Sequence, residues 1–478
     1  MTSHPVVLGI DLATSAARVL AIDAADGRLL GFVGGNLPAP GRSAAGGSRQ
    51  QPDYAAVVGE LIGQTVRDLG DRAADIAALS VTGTSGTMVP CDGVGRPLDL
   101  AALYDDSTAI AAAELLQQNG FDFGRGSVPA RMGMLRTTTE ATLLLHTPDV
   151  VLASLAGRVL PTDTSHALKA GIDPVARQWP ERLLAVVGVE PSMLPPLTSP
   201  GVVIGEVSAP IAAELCLPSG VLLVSGMTDG CTAQIGCGAV HLGDTVGVLG
   251  TTLVLKAVVT DRIVGADGSI YSHYAPDGSW WPGAASNVGA GALVGVSDIQ
   301  VATAELPALD AAAAAHGPSS VLRYPLVGVG ERFPVADPGF RGWRVGEPDS
   351  AADSYRSLLE GVAFVERYGL EQLAALGVRR RRHLLAGGAT KSTVWNRIRA
   401  GVLGETVYVP PAGGSGNGAA ALAASALLGT PLAAIVDSWA HDAESVDPDP
   451  AESEQLQSSY RQWCEELSRR TDSSVIHQ

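Results

Sequence analysis

The chain has 478 residues, 46% of them apolar and 17% charged, with a formal net charge of −17. Such a composition belongs to a globular chain with a large core and excludes disordered and fibrous classes; the length suggests two domains. The acidic balance excludes nucleic acid as a partner, because phosphate backbones demand clustered cations, and a neutral substrate such as a sugar suits this field better than an anion.

The one basic cluster, residues 379–382, reads as a solvated turn. Cys91, Cys216, Cys231, Cys237 and Cys464 form an odd set without a C-x-x-C pair or histidines at metal spacing, which points to a reducing compartment. The amino terminus M-T-S-H-P-V-V has no basic leader and runs straight into a strand pattern, so a cytoplasmic protein is expected. Residues 419–436 are uncharged long enough to suggest a membrane span. They are mostly alanine and broken by Gly429, Thr430 and Pro431, so a buried helix followed by a turn is expected, with no membrane partner.

In chain order, residues 6–12 (V-V-L-G-I-D-L) and 18–22 read as two strands flanking a tight turn, with the next hairpin turn at Asp26-Gly27. Asp11 interrupts the first strand. An ionised carboxylate in a buried strand is costly without a cation or hydrogen-bond donors, which points to a metal or polar-ligand role. Thr14 and Ser15 follow at the turn, where hydroxyls and amides can cradle a phosphate. Asp53 is placed to cap a helix whose apolar positions are Val57, Leu61, Ile62, Val66 and Leu69. Residues 77–82 form a strand that leads into G-T-S-G-T, and a further short apolar run ends at Tyr104, Asp105 and Asp106. Ser85 and the two aspartates thus lie at strand ends, where α/β sheets bind ligands, although paired aspartates also begin helices. A helical patch surrounds Leu143, and T-D-T-S-H-A-L-K runs from Thr162.

Residues 221–224 read as a buried strand, Gly226 allows a sharp turn, and Asp229 stands at the strand's carboxyl end as either a catalytic carboxylate or a helix cap. A second strand, 245–249, runs into Gly250, Thr251 and Thr252, a combination suited to a phosphate-binding turn. Residues 270–281 alternate as a hairpin about Asp277-Gly278. In S-N-V-G-A-G-A-L, Gly289 and Gly291 imitate a dinucleotide fingerprint, but the spacing is wrong for one. The chain has no G-x-x-x-x-G-K-[ST] and no G-x-S-x-G, which removes P-loop nucleotidases and common serine hydrolases. Residues 351–376 form one long amphipathic helix, and strand 383–386 opens into G-G-A-T-K-S-T-V-W. There Gly387 and Gly388 permit close approach of a flat ligand, and Trp395 is either a base-stacking residue or core.

These segments resemble the FGGY carbohydrate kinases. G-I-D-L-A-T-S from Gly9 is similar to that family's first phosphate motif, S-G-M-T-D-G to the segment carrying its catalytic aspartate, G-T-T from Gly250 to its second phosphate motif, and G-G-A-T-K-S-T-V-W to its adenosine motif. Together they span nearly the whole chain in the family's order. G-T-S-G-T at Gly83, T-D-T-S-H-A-L-K-A-G-I-D-P, Y-S-H at Tyr271, G-A-A-S-N at Gly283 and Y-P-L-V-G-V-G-E-R-F-P at Tyr324 look most like the D-ribulose kinase branch. A xylulokinase more usually shows Q-M-H-G where residues 84–87 stand.

The resemblance implies an α/β chain of two actin-like, RNase H-like domains with a central cleft, residues 1–238 on the sugar side and 239–478 on the nucleotide side, with the last helices free to pack back on the first. It implies transfer of the ATP γ-phosphoryl to a sugar hydroxyl, most simply of D-ribulose, with xylulose or another polyol as the alternative. Asp229 would be the general base, and Asp11 would hold Mg²⁺ and orient the acceptor. Sugar contacts would come from Asp11, Ser85, Tyr104, Asp105 and Asp229. ATP contacts would come from Thr14, Ser15, Gly250, Thr251, Thr252, Gly289, Gly291, Gly388, Ala389, Ser392 and Trp395. A homodimer is compatible with such a chain. Three departures stand out: Ala13 where the first phosphate motif usually has glycine, Thr108 where many relatives have arginine, and Ala389 in place of a third glycine. Ala13 and Thr108 favour a different class, a non-catalytic actin-like scaffold; the presence of both Asp11 and Asp229 opposes it.

Overall fold

The computed structural model describes residues 4–44, 46–296, 302–411, 413–439 and 443–475. The chain divides into two compact units. Residues 1–240, 273–278 and 413–440 form the first, and residues 241–272, 279–412 and 441–478 the second. Both are actin-like and repeat one arrangement: a three-stranded antiparallel meander whose first strand pairs in parallel with a later one.

In the first unit the meander is Val6–Leu12, Ala16–Asp23 and Leu29–Asn36, and Ile76–Gly83 adds in parallel to Val6–Leu12. Leu222–Val224 continues the parallel set and Val203–Glu206 closes the edge. All seven residues of Val6–Leu12 are buried, so both faces must be covered. Because side chains alternate, Leu8 and Ile10 join the core cluster that also holds Val58, Leu61 and Ile62 of helix Tyr54–Leu69, while Gly9 faces the other way. A Cβ on Gly9 would lie 1.9 Å from the Gly416 carbonyl oxygen, and one on Gly418 the same distance from that of Thr232. Helix Ser415–Leu428 therefore packs backbone to backbone, which explains its glycine and alanine content. The uncharged segment is a buried helix and a turn, as expected. Its continuation Leu432–Trp439 is bent from it by 119°, and no single helix among the described residues is long and apolar enough to cross a membrane.

The second unit has the meander Asp244–Leu249, Leu253–Ala257 and Trp280–Ser286, with Arg382–Ala386 parallel to the first strand and Val407–Val409 beyond. Its core is built on helix Ala351–Ala375, through Leu358, Leu359, Val362 and Val365, and on the last helix, Pro450–Val475. There Trp463 stacks on Tyr324 at 5.6 Å and donates its indole N–H to the Arg323 carbonyl at 2.7 Å.

Three expectations need correction. Leu143 lies in a strand, Leu143–Leu145, paired with Val89–Cys91, because its apolar run is too short for a helix and finds an edge to join. The Asp53 side chain makes no capping hydrogen bond. The basic cluster is more than a solvated turn: residues 379–381 are exposed, but Arg381 Nη2 and Arg382 Nε also reach Asp244 Oδ1 at 2.7 and 2.9 Å, clamping a fully buried carboxylate at the start of the central strand.

Candidate active site

In the first unit the carboxyl ends of three parallel strands converge. Asp11 is in register with Thr82, and the next pair along, Gly83 and Thr228, forms an isolated parallel bridge. Asp229 begins helix Asp229–Gly236 one residue later. The two carboxylates thus share one end of the sheet. Asp11 is 8% exposed and accepts a hydrogen bond on Oδ2 from Arg18 Nη1 at 2.8 Å. Burial raises its pKa, the Arg18 guanidinium opposes that, and the charge of Asp229 adds to the rise, so the two acids sense each other. Asp229 Oδ1 accepts from the Gly230 amide at 2.7 Å, and its carbonyl accepts from Ser415 Oγ at 3.1 Å. Gly226 is required before it, since a Cβ there would sit 2.0 Å from the Val81 carbonyl oxygen.

Thr14 and Ser15 occupy the tip of the first hairpin. Ala13 N–H bonds to the Ala16 carbonyl at 2.9 Å, and Gln50 Nε2 holds the Thr14 carbonyl at 2.6 Å. Among the described residues, positive φ outside glycine occurs at Arg177 and Cys216, so Ala13 lies in ordinary backbone territory and its Cβ carries no conformational strain.

The loops that follow place Ser85, Tyr104 and Asp105. Ser85 Oγ and Asp105 Oδ1 are both buried without a hydrogen-bond partner among the described residues, while Asp105 Oδ2 pairs with Arg42 at 2.8 Å. Tyr104 is 46% exposed. The paired aspartates do not begin a helix. Asp106 is fully buried and ties its loop down, accepting from Ser48 N at 2.9 Å, Arg49 Nε at 3.0 Å and Thr108 Oγ1 at 2.6 Å. Thr108 is therefore a structural partner of Asp106, and Arg49 brings a guanidinium from another segment.

Sequence reasoning missed Arg131. Its buried guanidinium donates to the carbonyls of Gly86, Tyr104 (3.1 Å) and Gly126 (2.5 Å), stitching the Ser85 and Asp105 loops together. Burial lowers its pKa to about 10. Its partners are backbone carbonyls from three separate segments, so no local motif marks it.

In the second unit Gly250, Thr251 and Thr252 form a tight turn, with Gly250 N–H bonded to the Thr252 carbonyl at 3.1 Å. Gly289 and Gly291 lie against it. A Cβ on Gly289 would come within 2.5 Å of the Thr251 oxygen and of Thr252 Cα, and Gly291 N–H bonds to the Thr251 carbonyl at 3.0 Å. Those glycines thus serve close packing on the turn. Below it, Arg399 Nη2 donates to the Gly247 carbonyl at 3.0 Å and pairs with Glu366 at 2.5 Å, and His383 Nε2 lies 3.1 Å from the same carboxylate. Burial alone would raise the Glu366 pKa; Arg399 and His383 outweigh it and hold it at about 2.

At the end of Arg382–Ala386, Gly387 has φ +90° and closes on Leu249, and Gly388 faces open space. Ala389 is buried in the core, and Ser392 Oγ caps helix Thr393–Leu403 by accepting from Trp395 N at 3.0 Å. Trp395 corrects the stacking expectation. It is 2% exposed, lies within the hydrophobic core and donates Nε1–H to the Leu359 carbonyl at 3.0 Å, so neither ring face is open to a base.

Comparison with known proteins gives the family of the chain. Residues 131–236 match the N-terminal domain of the FGGY family of carbohydrate kinases and residues 246–427 its C-terminal domain. A xylulose kinase of Streptomyces rubiginosus is 28% identical over 470 residues, covering 91% of each chain. An autoinducer-2 kinase of Salmonella typhimurium is 27% identical over 398 residues, covering 73% of this chain and 72% of the other. In fold, the crystal structure of a xyloylose kinase from Brucella ovis superimposes with a TM-score of 0.87, at 24% identity, over 97% of this chain and 99% of that one. With both family domains matched in order and relatives aligned along nearly the full length, the chain belongs to the FGGY family of carbohydrate kinases and is a sugar phosphotransferase.

Proposed function

We propose that the protein transfers the γ-phosphoryl group of ATP to a hydroxyl of a ketopentose, with Asp229 as general base. The observation that carries this reading is the pair of carboxylates, Asp11 and Asp229, at one end of the parallel strands. A sugar hydroxyl is a weak nucleophile until its proton has an acceptor. Asp229 takes that proton as the hydroxyl oxygen bonds to phosphorus and the bond to ADP breaks. Ser85 Oγ and Asp105 Oδ1, buried and unpaired, gain their missing partners from a polyhydroxylated ligand. The turn at Gly250, Thr251 and Thr252 offers amides and hydroxyls to ATP phosphates, as do Thr14 and Ser15, while Gly388 leaves room beside the base.

Asp11 fits a hard cation. Arg18 engages only Oδ2, and a second carboxylate lies near enough to add its charge, an oxygen donor set that suits Mg²⁺. When bound, Mg²⁺ neutralises charge on the transferring phosphoryl group. Asp11 would hold it, with Arg18 fixing the orientation of the carboxylate.

D-Ribulose is favoured by G-T-S-G-T at Gly83, and D-xylulose by the curated relatives aligned over 91% of the chain. The two sugars are C3 epimers, so one panel tests the reading: ADP release with ATP, Mg²⁺ and D-ribulose, D-xylulose, gluconate or glycerol. Stimulation by a ketopentose above the other acceptors is the expected result. Equal rates with and without any ketopentose would overturn the assignment.

A further inference from the structure

The segment T-D-T-S-H-A-L-K is not absorbed by the catalytic reading, yet it meets both site-bearing strand ends. Asp163 caps the four-residue helix Thr164–Ala167, its Oδ1 accepting from His166 N at 2.8 Å and its Oδ2 from His166 Nδ1 at 2.7 Å. His166 Nε2 donates to the Gly83 carbonyl at 3.2 Å. Both ring nitrogens therefore face oxygen atoms, and the fully buried ring is held between Asp163 and the Gly83 carbonyl. One residue earlier, Ser165 Oγ accepts the Thr228 amide at 3.2 Å and lies 2.9 Å from His273 Nδ1. The same hydroxyl lies 3.4 Å from Thr228 Oγ1 and 3.8 Å from Cys231 Sγ. Ser165, Thr228 and His273 are all buried, so water does not compete for these bonds.

Gly83 and Thr228 are bridged to each other across adjacent strands. Gly83 stands two residues before Ser85, and Thr228 one residue before Asp229. Consecutive side chains of one short helix thus hold the last paired residues of both strands before their functional side chains emerge.

We propose that helix Thr164–Ala167 is a positioning bracket in which Ser165 sets the backbone that presents Asp229 and His166 sets the backbone that presents Ser85. The two residues then govern different kinetic constants. This rests on reading Asp229 as the base and Ser85 as a sugar contact. A displaced base slows the chemical step, whereas a displaced sugar contact weakens binding in ground and transition states alike.

The test is steady-state kinetics of the full chain with ATP, Mg²⁺ and whichever panel acceptor supports the fastest ADP release. Ser165→Ala should lower kcat about tenfold while sugar KM stays within about twofold. His166→Leu should raise sugar KM about tenfold with a smaller change in kcat. His166→Gln, whose Nε2 donates from nearly the same position, should restore KM. Melting temperatures separate these effects from lost folding. If Ser165→Ala and His166→Leu change kcat and KM in the same proportion, tracking their loss of stability, or if Gln fails to restore KM, the bracket is overturned. Asp229→Asn measured alongside distinguishes the premises: retained turnover in it removes the base assignment, whereas an inactive Asp229→Asn beside a normal Ser165→Ala removes the bracket alone.

Discussion

Replacing Glu366 by Gln probes the charge cluster under the Gly250 turn. Arg399 is fully buried and makes two hydrogen bonds to this carboxylate, at 2.5 and 2.6 Å, so the substitution leaves a guanidinium in the core without its counter-ion. Breaking one side of a buried pair costs about 3–5 kcal/mol. Proton linkage gives a second figure. A Glu pKa moved from 4.5 to about 2 on folding corresponds to about 3 kcal/mol at neutral pH. The pKa is depressed, so this stability is fully present above pH 4.5 and is lost as pH falls towards about 2. The assay is urea denaturation of wild type and Glu366→Gln, followed through the unfolding of the second unit, in a series from pH 7 to pH 2.5. The variant should be about 3 kcal/mol less stable at pH 7, and the gap should narrow below pH 4.5. A gap under about 1 kcal/mol at pH 7, or one that stays constant down to pH 2.5, would refute the reasoning.

Asp229→Asn should bind sugar and ATP yet lose at least ~10²-fold in kcat, and near-normal turnover in the folded variant would remove Asp229 from the mechanism. Trp395→Ala should lose about 3–5 kcal/mol of stability as a core truncation, with no selective rise in the ATP KM; a selective rise would restore the stacking role. Ala13→Gly should cost about 0.4–1 kcal/mol without improving kcat/KM for ATP, because Ala13 needs no positive φ. A tenfold gain in kcat/KM, an order-of-magnitude threshold, would show that its Cβ crowds the phosphate turn.

Local patterns were legible wherever a residue's role follows from its own strand or turn. The runs 6–12, 221–224 and 245–249 are apolar because they lie in sheets covered on both faces, and Asp11 stands out because it interrupts such a run and Asp229 because it follows one. Gly250 likewise marks a real turn, whereas Gly226 is needed for close approach to the Val81 carbonyl and not for a turn. Trp395 was ambiguous for the opposite reason: a tryptophan on a helix beside a glycine pair has the same local sequence whether its ring meets a ligand or Leu359. The ion pairs of the 379–382 cluster were not legible because their counter-ion, Asp244, is more than a hundred residues away.

By itself the sequence determined the alternation of buried strands and helices, the two carboxylates at strand ends, the glycine turns and the order of motifs that identifies the family. Each of these is set within a few residues by side-chain period, burial or backbone freedom. Only the tertiary structure decided which polar groups are paired. Arg131 collects carbonyls from three segments, Glu366 neutralises Arg399, and Ser165 and His166 meet Thr228 and Gly83 across 63 and 83 residues. A buried hydrogen bond or ion pair depends on distance and desolvation in space, and neither is encoded in the spacing of residues along the chain.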